Sequence, residues 1–220
     1  MKTISEEQRK LNQELHQKRP DFGSKGGAGN ETVISLVKRY YDIGLVKSVL
    51  DYGTGKGAFP KNLKKSIPKL EVGAYDPAVE QFSKKPNRSF DLVTSFDVLE
   101  HVERHSVSDV LNEMKELCNK VIYLQIDLQP AVKRLSSGRN AHILLAPPDW
   151  WLSQVGSIYP LQGSFPILHA SGALQKIGIV AAKDPRFGHL VWSILTKLQS
   201  RPMIINGGYL NGVKKKTEKS

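Results

Sequence analysis

An apolar stretch from Ser48 to Leu50 ends in the acid Asp51 and runs into Tyr52-Gly53-Thr54-Gly55-Lys56-Gly57, with glycine at every second position. No other segment constrains the fold as tightly. A buried strand must break there into a tight turn and then a helix. Glycines let the backbone turn sharply and approach a ligand with no Cβ in the way. Asp51 then stands at the carboxyl end of the strand, where open α/β sheets bind ligands. Nineteen residues after Gly57, Leu70-Glu71-Val72-Gly73-Ala74-Tyr75-Asp76 reads as a second strand ending in a second acid. A carboxylate there can accept both hydroxyls of a ribose. The two segments describe a nucleoside-containing cofactor lying across strand ends.

Two cofactors fit that description. Gly53-x-Gly55-x-x-Ala58, with Asp76 about 20 residues on, matches the permissive dinucleotide fingerprint. Asp51 separates the cases. A dinucleotide places a pyrophosphate over this turn, and a carboxylate at the strand tip repels it. S-adenosylmethionine has no phosphate and carries an ammonium, which a carboxylate attracts. The reading favours S-adenosylmethionine.

Leu50-Asp51-Tyr52-Gly53-Thr54-Gly55-Lys56-Gly57 resembles motif I of the class I S-adenosylmethionine-dependent methyltransferases, and Ala74-Tyr75-Asp76-Pro77-Ala78 resembles their motif II. Phe90 to Val102, with its Leu99-Glu100-His101-Val102 ending, is similar to their fourth-strand motif. The resemblance covers residues 45–130 and is closest in motif wording to the small methyltransferases of marine bacteriophages. It implies a doubly wound, mostly parallel Rossmann-like sheet. It also implies S-adenosyl-L-methionine held by Asp51, Tyr52, Gly53, Thr54, Gly55 and Gly57, with Asp76 on the ribose and Pro77 beside the adenine.

Length and composition suit one compact domain: 220 residues, 40% of them hydrophobic, suffice for one substantial core. The expected division is a cap segment at 1–30, the methyltransferase-like domain at 31–200 and a basic, flexible tail at 201–220. The single cysteine, Cys118, excludes a disulfide framework and reads as a buried structural thiol on a helical stretch. No signal-peptide core or membrane-length apolar run stands in the sequence, so the expected setting is cytoplasmic, the host cytoplasm for a phage protein. The net charge of +11 gathers at Lys61, Lys64, Lys65 and Lys69, at Lys84, Lys85 and Arg88, at Lys133, Arg134 and Arg139, and at Lys214-Lys215-Lys216 and Lys219. Such runs are usually solvated surface, and no interleaved aromatics support base stacking. They do favour an acidic acceptor, nucleic acid included, over a cationic one.

Along the chain, residues 1–19 read as a short helix at the domain edge, and the glycine-rich loop at 22–29 as either a lid or a plain linker. Asn30 caps a helix that ends at Gly44. Strands follow at Phe90–Phe96 and Lys120–Leu128, with a helix at Ser106–Asn119 between them. Only 13 residues separate Asp76 from Phe90, too few for a helix, a strand and a further helix. The family's third strand is therefore expected to be missing or reduced, which shifts contact with the adenine to Pro77 and to Ser95, Phe96 and Asp97. Ser164–His169 and Gln175–Ala182 read as a closing antiparallel hairpin, and Leu190–Leu198 as a helix.

Pro148 opens a helix whose Trp150 and Trp151 point in different directions, one toward the core and one toward the pocket. Pro147-Pro148-Asp149-Trp150 superficially matches the Asp/Asn-Pro-Pro-aromatic motif of base-directed amino methyltransferases. It follows the wrong strand, however, and Ala146 holds the acid or amide position, so the match is rejected. Candidate bases are His101, Glu100 and His142, with the two histidines preferred as catalytic since histidine titrates near neutrality. Glu100, His101, His142 and Trp150 form the expected acceptor surface. His105, His169 and His189 lack supporting context, and His16 falls outside the domain. No set of His, Asp and Glu has metal-ligand spacing in the sequence, so no metal is expected. Three functions remain: a methyltransferase for an O or N acceptor on a small or medium-sized molecule, a nucleic-acid or nucleotide methyltransferase, and a catalytically silent S-adenosylmethionine-binding protein.

Overall fold

The computed structural model describes residues 3–23, 30–199, 203–205, 209–210 and 213–214. Seven strands form one sheet: β1 (Ser48–Tyr52), β2 (Glu71–Tyr75), β3 (Phe90–Phe96), β4 (Cys118–Asp127), β5 (Leu161–His169), β6 (Leu174–Ala182) and β7 (Met203–Ile205). Their spatial order is β2-β1-β3-β4-β6-β5-β7. The four strands from β2 to β4 are parallel, β6 runs antiparallel to β4 and β5, and β7 lies parallel to β5. The helices are α1 (Glu6–Lys18), α2 (Asn30–Asp42), α3 (Ala58–Ser66), α4 (Val107–Leu117), α5 (Pro148–Gly156) and α6 (Gly188–Gln199). This is the doubly wound, mostly parallel α/β sheet with a closing hairpin that the motif spacing predicts.

Strand periodicity of two sorts the core onto two faces. Leu50, Ile122, Leu124, Ile177 and Ile179 face α4 and α5, where Leu111, Met114 and Trp151 complete one cluster. Val49, Val121, Tyr123 and Val180 face the other way, toward Val37 of α2, Leu63 of α3 and Leu195 of α6. Burying apolar surface at roughly 25 cal/mol per Å2 on both faces is what holds the strands in this register. The short connection between Asp76 and Phe90 carries only a 3-10 turn at Glu80–Phe82 and no strand. The chain leaves β1 for β2 on one side and returns to β3 on the other. The strand order therefore reverses between the parallel β1 and β3, and a crevice opens at their carboxyl ends.

Part of the span read as a flexible tail is strand: β7, and a short pair formed by β8 (Tyr209–Leu210) and β9 (Val213–Lys214). Lys215, Lys216 and Lys219 lie outside the described residues, as do loop residues 24–29.

Candidate functional site

A cavity of about 860 Å3 occupies the crevice. At one end the turn after β1 is built of glycines in the left-handed region, with φ of 76° at Gly53 and 53° at Gly55. A Cβ on Gly53 would meet Val98 Cγ2 at 2.3 Å, and one on Gly55 would meet the Gly23 carbonyl oxygen at 2.7 Å. Both conformation and space therefore demand glycine at these two positions. Asp51, Tyr52, Gly53, Thr54 and Gly55 line the cavity, as do Asp76, Pro77, Phe96 and Asp97. Asp51 accepts the Thr94 hydroxyl at 3.1 Å. Burial, with repulsion from Asp76 added, pushes its carboxyl up to about 7. An ammonium beside it would restore the carboxylate.

Asp76 has a duty the sequence reading lacked. Its carboxylate accepts the backbone N–H of Gly55 and of Ala78, both at 2.9 Å, and so pins the glycine turn to the end of β2. Two further positions correct the expected cofactor set, because neither Ser95 nor Gly57 reaches the cavity. Ser95 is buried behind the strand end. Gly57 backs onto Phe82, whose ring carbon Cζ would lie 2.9 Å from an added Cβ.

The N-terminal helix forms a wall of the cavity, not an outlying edge. His16, placed outside the domain by sequence, lines the cavity with Asn12, Phe22 and Gly23. Lys56 donates its backbone N–H to the Gly23 carbonyl at 2.9 Å, so this segment lies against the glycine turn. A row of rings then crosses the cavity: His16 to Phe22 at 4.6 Å between centroids, Phe22 to His101 at 5.5 Å, and His101 to His142 at 4.9 Å.

The opposite end is built of ionisable side chains. Asp97 is the one non-glycine among the described residues with positive φ, at 56°. It takes an ion pair from Lys176 of β6, which also lies 3.6 Å from Asp127 at the end of β4. Burial opposes the Lys176 ammonium, yet Asp97 and Asp127 outweigh it and raise its pKa. Lys176, Asp127 and Gln175 line the cavity and went unnoticed in the sequence. The available signal was one lysine directly preceding the apolar run Ile177 to Ala182. Glu100 has no exposed surface and sits behind the cavity wall, not on it. Burial, together with the charges of Asp97 and Asp127, raises its pKa well above the carboxylate range.

His101 and His142 both line the cavity. His101 Nδ1 lies 2.7 Å from the Ala141 carbonyl and His142 Nδ1 lies 2.6 Å from the Gln129 carbonyl. A carbonyl can only accept, so each ring donates from Nδ1 and leaves Nε2 for another partner. Burial pushes His101 down to about 3, which makes it a poor general base at neutral pH. The expectation that no metal-ligand set exists also needs correcting. One atom each from Glu100, His101 and His142 lie within 4.8 Å of one another. Linear spacing could not reveal this, because His142 comes from a separate loop.

Trp150 does not reach the cavity. It packs edge-on against the fully buried Trp151 at 4.8 Å, with the Arg104 guanidinium 4.6 Å over its ring. Of the two indoles, one enters the core and the other lies under an arginine. Cys118 is buried, and its thiol is pushed up to about 12 by desolvation, as befits a structural residue.

A family of methyltransferase domains matches residues 8–155. No curated protein is similar to the chain at a significant level. Among solved structures, the 1,6-didemethyltoxoflavin-N1-methyltransferase of Burkholderia thailandensis, bound to 1,6-didemethyltoxoflavin and S-adenosylhomocysteine, superposes with a TM-score of 0.58 at 13% identity, covering 80% of this chain and 86% of that one. The N-methyltransferase NodS of Bradyrhizobium japonicum, in complex with S-adenosylhomocysteine, gives 0.54 at 11% identity over 80% and 98%. For an O-methyltransferase family protein of Burkholderia thailandensis the TM-score is 0.48 at 14% identity; 70% of this chain is covered, and the chain spans 58% of that protein's length.

Proposed function

The chain belongs to the methyltransferase-domain family, and from that premise we propose that it transfers a methyl group from S-adenosyl-L-methionine to an oxygen or nitrogen of a small or medium-sized acceptor. One observation carries the reading: Asp51, the left-handed Gly53 and Gly55, and Asp76 line one end of a cavity that extends to Asp127, His142 and Lys176 at the other. A volume of this size is in the range that holds a cofactor and a small acceptor together. In this reading Asp51 pairs with the cofactor's ammonium, and Asp76 accepts ribose hydroxyls with the lone pairs its backbone donors leave free. Pro77 and Phe96 border the adenine.

Transfer needs little beyond alignment of nucleophile, methyl and sulfonium. The ring row from His16 to His142 walls the path. The similarity to phage enzymes rests on motif wording alone, and a cytoplasmic setting remains the expectation. No helix among the described residues is long and apolar enough to cross a membrane.

A second reading, a nucleic-acid or nucleotide acceptor, draws support from Arg19, Lys133 and Arg134 on the cavity lining. Transfer of labelled methyl from the cofactor into a cell extract, with and without nuclease treatment, separates the two. Label surviving nuclease supports the small-acceptor reading, and label lost to nuclease the other. No incorporation from any extract favours the silent binder.

A further inference from the structure

The chemistry at the acceptor end is richer than proton transfer alone requires. Glu100 and His101 sit together in the 3-10 turn Leu99–His101, and His142 arrives on a loop fastened alongside. Leu144 donates its N–H to the Glu100 carbonyl at 3.1 Å, and the His101 ring holds the Ala141 carbonyl. These bonds fasten the loop that carries His142 against the turn that carries Glu100 and His101. Both imidazoles have their Nδ1–H committed to a carbonyl, which fixes ring orientation and turns the Nε2 lone pair outward. That is the support that metal-ligating histidines have.

Glu100 supplies the independent observation. Its side chain has no exposed surface, and one carboxyl oxygen accepts the Asp127 N–H at 3.2 Å. The other oxygen, Oε2, is buried with no hydrogen-bond partner among the described residues. An unpartnered buried carboxyl oxygen costs free energy and calls for a proton or a cation. The nearest imidazole nitrogen, His142 Nε2, stands 4.0 Å from Glu100 Oε1, too far for a hydrogen bond.

We propose that Glu100, His101 and His142 form a site for one divalent transition cation, with its open coordination positions facing the cavity. Two imidazole nitrogens and one carboxylate suit zinc, iron, cobalt or manganese in the +2 state better than calcium or magnesium. The ligand atoms, spread over up to 4.8 Å, close by about 1 Å on an ion with bonds near 2 Å. Lys176 does not oppose the ion strongly, since Asp97 and Asp127 already balance its charge. The cation defines an acceptor class, and this part rests on the proposed function: an acceptor presenting an oxygen donor binds an open position and gives up its proton to solvent. That oxygen then forms the bond to the methyl carbon while the C–S pair returns to sulfur, leaving S-adenosylhomocysteine.

The test uses the full chain, stripped with chelator and titrated with cobalt(II) without any acceptor. Visible absorption and calorimetry should report one cobalt per chain, displaced by zinc(II). Glu100→Gln and His142→Ala should each weaken cobalt binding about ten-fold or more. Calorimetry with S-adenosylhomocysteine on the same samples should give unchanged affinity, which shows the variants are folded. His189→Ala, an exposed histidine away from the cavity, should bind cobalt like the parent. Absence of saturable cobalt binding, or binding that survives both substitutions, overturns the site. Failure of S-adenosylhomocysteine to bind the parent chain would instead strike the proposed function and leave the cobalt result standing.

Discussion

The two ends of the cavity solve different problems. The end at β1 and β2 is mostly backbone: left-handed glycines, and Asp76 satisfied by two amide N–H groups. The end at β3, β4 and β6 is mostly side chain, with Lys176 between Asp97 and Asp127, and the buried Glu100, one of its oxygens orphaned, grouped with two imidazoles. The first is held in shape before any ligand arrives, because Asp76 already binds the backbone of its turn. The second holds buried charges that depend on one another, so a change at one is felt by all. The fold thus offers a preformed seat for a constant ligand beside an electrostatically sensitive seat for the variable one.

The comparison breaks most sharply at Lys176. Lys176→Met leaves two acids without their cation and should cost about 3 kcal/mol of stability at pH 8 in chemical denaturation. The loss should shrink as acidification protonates Asp127, whose carboxyl burial holds above its ordinary value. At the other end, Asp76→Ala should lower affinity for S-adenosylhomocysteine by about 2–3 kcal/mol in calorimetry, since charge-assisted bonds to the ribose go. It should also cost about 1–2 kcal/mol of stability, because Gly55 and Ala78 lose their acceptor. Unchanged stability would separate the carboxylate from the turn it holds.

Asp51 sharpens the contrast through pH. Its folded value of about 7 lies above the ordinary 3.8, so the cofactor-free fold keeps a proton that the unfolded chain has lost. Stability of the free protein should therefore fall as pH rises from 4 toward 7. Cofactor affinity should run the other way. The ammonium pairs only with the carboxylate, so affinity should rise by up to about ten-fold per unit toward pH 7 and then level off. Asp51→Asn should flatten this profile and bind weakly throughout. The smallest effect is expected at Trp150, where loss of the Arg104 contact costs about 1 kcal/mol of stability and leaves methyl transfer nearly unchanged.

How much the sequence revealed follows the same division. Asp51, the glycines and Asp76 lie on two short strands and one turn, so local pattern exposes them. The missing third strand was legible from a 13-residue gap, a matter of chain length alone. The other end gathers 97–101, 127–142 and 175–176 by crossovers and a hairpin, and no local pattern records that meeting. His16 was missed for the same reason, since the helix carrying it looks like any polar amphipathic segment, whereas Phe22 belongs to the loop read as a lid or a linker. Trp150 and Trp151 were legible as pointing apart. Only packing against Val155 and Tyr159 in the α4–α5 cluster decides that Trp151 takes the core.

The central claim, that the glycine end of this cavity is a seat for a sulfonium nucleoside and not for a dinucleotide, is tested most directly by calorimetric titration of the full chain at pH 8. The account predicts saturable binding of one S-adenosylhomocysteine per chain and no heat from NAD. Saturable NAD binding with none for S-adenosylhomocysteine would contradict it.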